Sequence, residues 1–121
     1  MKIPYETRTI VDYSFKLGYL FSTTINDLRE IIFQINGKNF EKVLDILEKD
    51  FILRYDSIEK YFLKLLSHEG ISEEEYEDVK TFCKDKRILI KEIIEEIKST
   101  NSLSQEKIHS MENLLEDMLD N

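Results

Sequence analysis

Apolar residues recur along this chain at alternating spacings of four and three, the period of helices packed along their length. In the first segment the two interleaved series are Ile10, Leu17, Thr24, Ile31 and Ser14, Phe21, Leu28, Ile35. In the second they are Phe40, Leu47, Arg54, Tyr61 and Leu44, Phe51, Ile58, Leu65. A third seam reads Tyr76, Val79, Cys83, Lys86, Ile90, Ile93, Ile97, and a shorter fourth stripe carries Ile108, Met111, Leu115 and Met118. The β-branched residues near the start do not continue into a period-two alternation, so a strand is not expected there.

Punctuation falls between these patterns. Asn36-Gly37 predicts a left-handed cap, and Gly70 ends the second pattern. Asn39 is a suitable N-cap for the second helix. Ser72 followed by Glu75 forms a capping box, with Ile71 and Tyr76 placed as a hydrophobic staple, and Ser102 with Gln105 offers another box. Helices are therefore predicted over about 5–35, 40–68, 73–98 and 103–119. The expected fold class is all-α: an elongated up-down antiparallel bundle of three long helices plus a shorter C-terminal fourth helix, in a single domain spanning 1–121. Gly18 lies inside the first helix at a cost of about 1 kcal/mol relative to alanine, or marks a close backbone approach. Arg54 and Lys86 interrupt apolar seams at similar distances from Gly70. The last helix is expected to fold back along the third, with Glu116 and Asp117 facing Lys86 or Arg87.

Composition narrows the partners. Seventeen basic and 25 acidic residues leave a net charge of −8, which repels a phosphate backbone and argues against nucleic acid. No apolar run approaches the roughly 18 residues of a membrane span, so no membrane association is expected. Cys83 is the sole cysteine, and the first residues lack an apolar leader, so a cytoplasmic setting is expected.

Candidate chemistry is sparse. His68 sits at a helix end. Glu106-Lys107-Ile108-His109 matches a Glu-x-x-His iron-ligand pair, but a carboxylate-bundle site needs two such pairs and further inward acids. No phosphate-binding loop, nucleophile elbow or Cys-x-x-Cys pair is present. No catalytic, cofactor or metal residues are expected, and the chain reads as a non-enzyme. Thirteen aromatics exceed what the seams need; Tyr13, Phe15, Tyr19, Phe33, Tyr55 and Phe62 fall beside the stripes and fit either a wide core or an exposed groove.

From Gly37-Lys38-Asn39-Phe40 through Asp45, Leu47 and Arg54 to the helix start Ile71-Ser72-Glu73-Glu74-Glu75-Tyr76, residues 37–98 resemble the small flagellar export chaperones of the FliT kind. The resemblance implies binding of an export client in the cytoplasm, with the last helix regulating access. The family often ends in a more basic segment, whereas residues 113–121 here are acidic. The leading expectation is a chaperone or adaptor, monomeric or homodimeric, that holds an amphipathic helix of a partner protein between the second and third helices. Phe51, Tyr55, Phe62, Phe82, Met111, Leu115 and Met118 are the expected partner-binding residues, with the fourth helix as gate. The alternative expectation is an acidic inhibitor of phage or plasmid type that occupies a basic enzyme site by mimicking nucleic acid.

Overall fold

A computed structural model describes residues 5–68, 70 and 72–120. Among these the chain is helical with no strand: α1 Tyr5–Asn36, α2 Phe40–Lys49, α3 Arg54–Ser67, α4 Glu73–Thr100 and α5 Gln105–Leu119. A short 3₁₀ turn, Phe51–Leu53, joins α2 to α3.

The helix predicted over 40–68 is thus two helices. Leu53 N–H donates to Asp50 O and Arg54 N–H to Phe51 O, tightening the backbone for one turn before α-geometry resumes. Neither glycine nor proline marks this break. The reversal after α1 also differs from expectation: Lys38, not Gly37, takes the left-handed conformation (φ 56°). Asn39 precedes α2 without a side-chain cap hydrogen bond. Gly70 does adopt positive φ (69°), a conformation glycine reaches without steric penalty.

At α4 the Ser72 half of the predicted capping box is present: Ser72 Oγ accepts from Glu75 N–H, and three glutamates occupy the first turn beside the positive dipole end. The staple invoked Ile71, which lies outside the described residues. α4 continues to Thr100 and ends on Asn101 in the left-handed region (φ 52°). The cap of α5 is Ser104, accepting from Lys107 N–H, rather than Ser102.

Direction follows from side-chain pairings. Arg54 meets Asp27, while further along α3 Tyr61 meets Tyr13, so α1 and α3 are antiparallel. Arg87 pairs with Asp56 and Glu59, and Tyr76 Oη reaches Leu63 O, so α3 and α4 are antiparallel as well. Glu92 pairs with Lys107 and Glu96 with Ser104, turning α5 back again. α5 nevertheless packs principally along α1 rather than α4, and of the two bases expected to face its acids, Lys86 or Arg87, Arg87 is met instead by Asp56 and Glu59 of α3.

Leu28, Ile31, Val43, Leu47, Phe51, Ile90, Ile93, Ile97 and Met111 are fully buried in a shared core. Leu17, Thr24, Leu28, Ile31 and Ile35 of the first seam are buried, whereas Ile10, Ser14 and Phe21 remain exposed. Helix length explains the opening. The 15 residues of α5 extend about 22 Å, and the 32 of α1 about 48 Å, at 1.5 Å per residue. α5 begins beside Ile35 and Phe40 and runs out near Gly18 and Phe21.

Candidate partner-binding cleft

Where α5 runs out, the structure leaves a hollow of about 900 Å³. Gly18, Phe21, Ser22 and Ile25 of α1 form one side, and Tyr55, Ile58 and Phe62 of α3 the floor. Phe82 of α4 and Leu114, Asp117, Met118 and Asp120 at the end of α5 complete it. A smaller apolar recess of about 270 Å³ continues from it over Val79 and Cys83, sharing Phe21, Ile58, Phe62 and Phe82.

Aromatic stacking sets the floor. Phe51 and Tyr55 meet edge-to-face with ring centroids 6.5 Å apart, and Tyr55 and Phe82 repeat that distance at 64°. Phe51 anchors this row from the core, so Tyr55 is fixed while the outermost ring, Phe82, remains 51% exposed. Lys86 Nζ lies 5.1 Å from the Phe82 centroid, so the ring attracts a cation on its face. Lys86 itself is half-buried, its stem along the helix surface and its charge toward that ring.

The expected site residues divide. Tyr55, Phe62, Phe82 and Met118 do converge on one hollow. Phe51 and Met111 are wholly buried and present no surface to a partner. Leu115 is half-buried against the core and does not line the cleft. The groove was expected between the second and third helices; the observed cleft also uses α1 and α5. Gly18, Phe21, Ile25, Ile58 and Leu114 were missed. Phe21 carried a readable signal, since it lies on the predicted seam of the first helix. Gly18 makes no close backbone approach: a Cβ built there meets nothing within 4 Å.

The off-stripe aromatics also divide. Tyr55 is buried, and Tyr13 is half-buried against Tyr61 and His68. Phe15, Tyr19 and Phe33 are exposed. Val11, Phe15 and Tyr19 border a shallow hollow on α1 that shares Gly18 and Ser22 with the main cleft.

Burial pushes the Cys83 thiol up to about 11, with Glu59 and Asp56 adding to the effect and Arg87 opposing it. Burial likewise raises the Tyr55 phenol, Cys83 adding and Arg54 opposing. Both remain neutral near pH 7. Among the described residues no cluster of His, Cys, Asp and Glu is arranged to hold a metal, and no helix is long and apolar enough to cross a membrane. No protein-family model, curated protein or solved structure matches this chain.

Proposed function

We propose that this chain is a non-enzymatic, protein-binding chaperone or adaptor, built as an up-down bundle, that holds an amphipathic helix of a partner in the cleft between α1, α3, α4 and α5. The observation that carries the reading is the hollow of about 900 Å³, floored by aromatic and aliphatic side chains and open along one side. Apolar walls with few polar groups suit the apolar face of a helix, whose side chains project at i, i+3, i+4 and i+7. Met118 at the rim adapts to varied partner shapes. α5 serves as an adjustable wall whose last turns close over the occupant. The resemblance of residues 37–98 to FliT-type chaperones favours an export client as the partner.

The nucleic-acid mimic finds less support. Its densest acid run, Glu73, Glu74 and Glu75, already has a local role at the positive end of α4.

A fluorescently labelled peptide with one apolar and one neutral polar helical face tests the proposal by anisotropy, against a scrambled peptide of equal composition. Phe82→Ala and Phe62→Ala should each weaken binding about tenfold or more, as central aromatic anchors do, while Phe33→Ala leaves it unchanged. Equal binding of the scrambled peptide, or indifference to both cleft substitutions, would overturn it.

A further inference from the structure

We propose that Lys16, Lys60 and Lys64, gathered around Tyr13 and Tyr61, form a second docking surface, which takes a short acidic peptide segment of a partner protein. The first observation is how these cations are held. Tyr13 of α1 and Tyr61 of α3 meet with ring centroids 6.0 Å apart. Lys16 Nζ lies 5.0 Å and Lys60 Nζ 5.3 Å from the Tyr61 centroid, and Lys64 Nζ lies 5.6 Å from that of Tyr13. Two ammonium groups thus share one ring, and a third stands at its neighbour. A ring face attracts a cation but brings no countercharge, so the cluster keeps all three positive charges. Lys60 and Lys64 are also one turn apart on α3, a like-charge spacing that opposes its own helix.

The second observation is what the cluster lacks. Arg54, Lys80, Arg87, Lys98 and Lys107 each meet a carboxylate within ion-pair distance. Among the described residues no carboxylate so meets Lys16, Lys60 or Lys64. Asp56 and Glu59, on the same helix as Lys60 and Lys64, are engaged by Arg87. In a chain with 25 acids and 17 bases, three exposed lysines without an acid are a local reversal of sign, and an anion from outside compensates it.

This face is distinct from the cleft. Lys60 and Phe62 are two residues apart on α3, as are Lys16 and Gly18 on α1, a spacing that sets side chains on nearly opposite sides of a helix. None of the cluster residues lines the cleft or its recess.

Charge and size select the occupant. Carboxylates one turn apart on a partner helix match Lys60 and Lys64, and the phenol hydroxyls can donate to the same oxygens. Nucleic acid and anionic lipid carry charge well past three lysines, where they meet a chain of net −8. A second copy brings that same net charge, and its densest acid run, Glu73, Glu74 and Glu75, serves the start of its own α4.

A labelled Ala/Glu helix of about four turns, with glutamates at i and i+4, is compared by anisotropy with an Ala/Gln peptide of equal length. At physiological salt the Ala/Glu peptide should bind at least about tenfold tighter. Replacing Lys16, Lys60 and Lys64 together by Gln should remove that preference. Replacing Lys42, Lys49 and Lys91 by Gln takes away the same charge elsewhere and should leave it. Phe82→Ala should leave it too, so the patch and the cleft can fail separately. Equal binding of the two peptides, or equal loss from both lysine triples, would overturn the proposal. A single-stranded oligonucleotide or phosphatidylserine vesicles that displace the Ala/Glu peptide at equal charge would overturn the peptide assignment. So would self-association of the wild type, read by light scattering, that the Lys16, Lys60, Lys64 triple abolishes.

Discussion

Arg54 Nη2 on α3 lies 2.7 Å from Asp27 Oδ2 on α1, closing a seam position that an apolar residue would otherwise fill. Nη1 donates to Thr24 Oγ1 at 3.1 Å, and Thr24 in turn donates to Leu20 O at 2.6 Å. The guanidinium also lies over the Phe51 ring, 5.6 Å from its centroid. Arg54 is only 6% exposed whereas Asp27 retains 30%, so the two ends of the pair are not equivalent. Removing the acid strands a buried cation, while removing the cation leaves a carboxylate that water still reaches. Asp27→Ala should therefore cost about 3 kcal/mol and Arg54→Met less than about 1.5. Urea denaturation of both variants checks the order, and a larger loss for Arg54→Met would refute this account of the pair.

Gly18 gives an opposite sign. An interior helical glycine with no packing role costs about 1 kcal/mol against alanine, and a methyl group there meets no neighbour. Gly18→Ala should raise stability by about that amount and the melting temperature by about 4 °C. Calorimetry would contradict the open space beside Gly18 if the variant melted lower than wild type.

The two methionines of α5, grouped together on one stripe by sequence, should behave differently. Met111 is fully buried, whereas Met118 is half-buried at the cleft rim. Met111→Ala should cost about 2–5 kcal/mol through lost burial and the cavity left behind. Met118→Ala should cost less than about 1 kcal/mol while weakening peptide binding. Chemical denaturation and anisotropy on the same samples separate core from rim.

Cys83 supplies a test by pH. Its folded thiol titrates near 11, against an ordinary value of 9.0. The folded state therefore holds the proton more tightly. The thiol's stabilising contribution is fully present below about pH 9 and is lost as pH rises toward 11. Tyr55, raised in the same sense, extends the loss to higher pH. Stability measured from pH 8 to 11 should fall less steeply in Cys83→Ala than in wild type. At pH 8 a thiol reagent should modify native Cys83 far more slowly than the urea-unfolded chain, because the sulfur is buried.

These residues show why some features were readable from the chain and others were not. Ser72 with Glu75 is a local signal: the atoms that make the cap are three residues apart, so the start of α4 could be placed before any packing was known. Leu28, Ile31, Leu47 and Ile90 fell on the predicted seams because period alone decides which face is covered. The turn at Phe51–Leu53 carries no glycine or proline, and its sequence fits an uninterrupted helix equally well. Asp27 as the partner of Arg54 lies 27 residues away, a choice set by how α1 and α3 align. The cleft was half legible. Its aromatic floor could be picked out by residue type, but its location depends on α5 ending beside Gly18 and Phe21 and packing on α1, a relation between elements that no local pattern encodes.

The last prediction concerns α5 as the adjustable wall. Its first half is tied down: Leu103 is buried at the preceding turn, Lys107 pairs with Glu92, and Met111 enters the core. Its last turns hold Leu114 inward but carry Met118 and Leu119 toward the open end, where the helix has no basic residue to steady its terminus. Local opening concentrates where buried apolar contacts are few, so amides at 115–119 should exchange faster than those at 107–112 in the free protein. Occupancy by an amphipathic peptide adds contacts to those last turns and should slow exchange there several-fold, with little change over 107–112. Hydrogen exchange with and without saturating peptide reads this directly. If exchange instead accelerates along the whole of α5, the helix is expelled by the partner rather than closing over it, and the wall assignment fails.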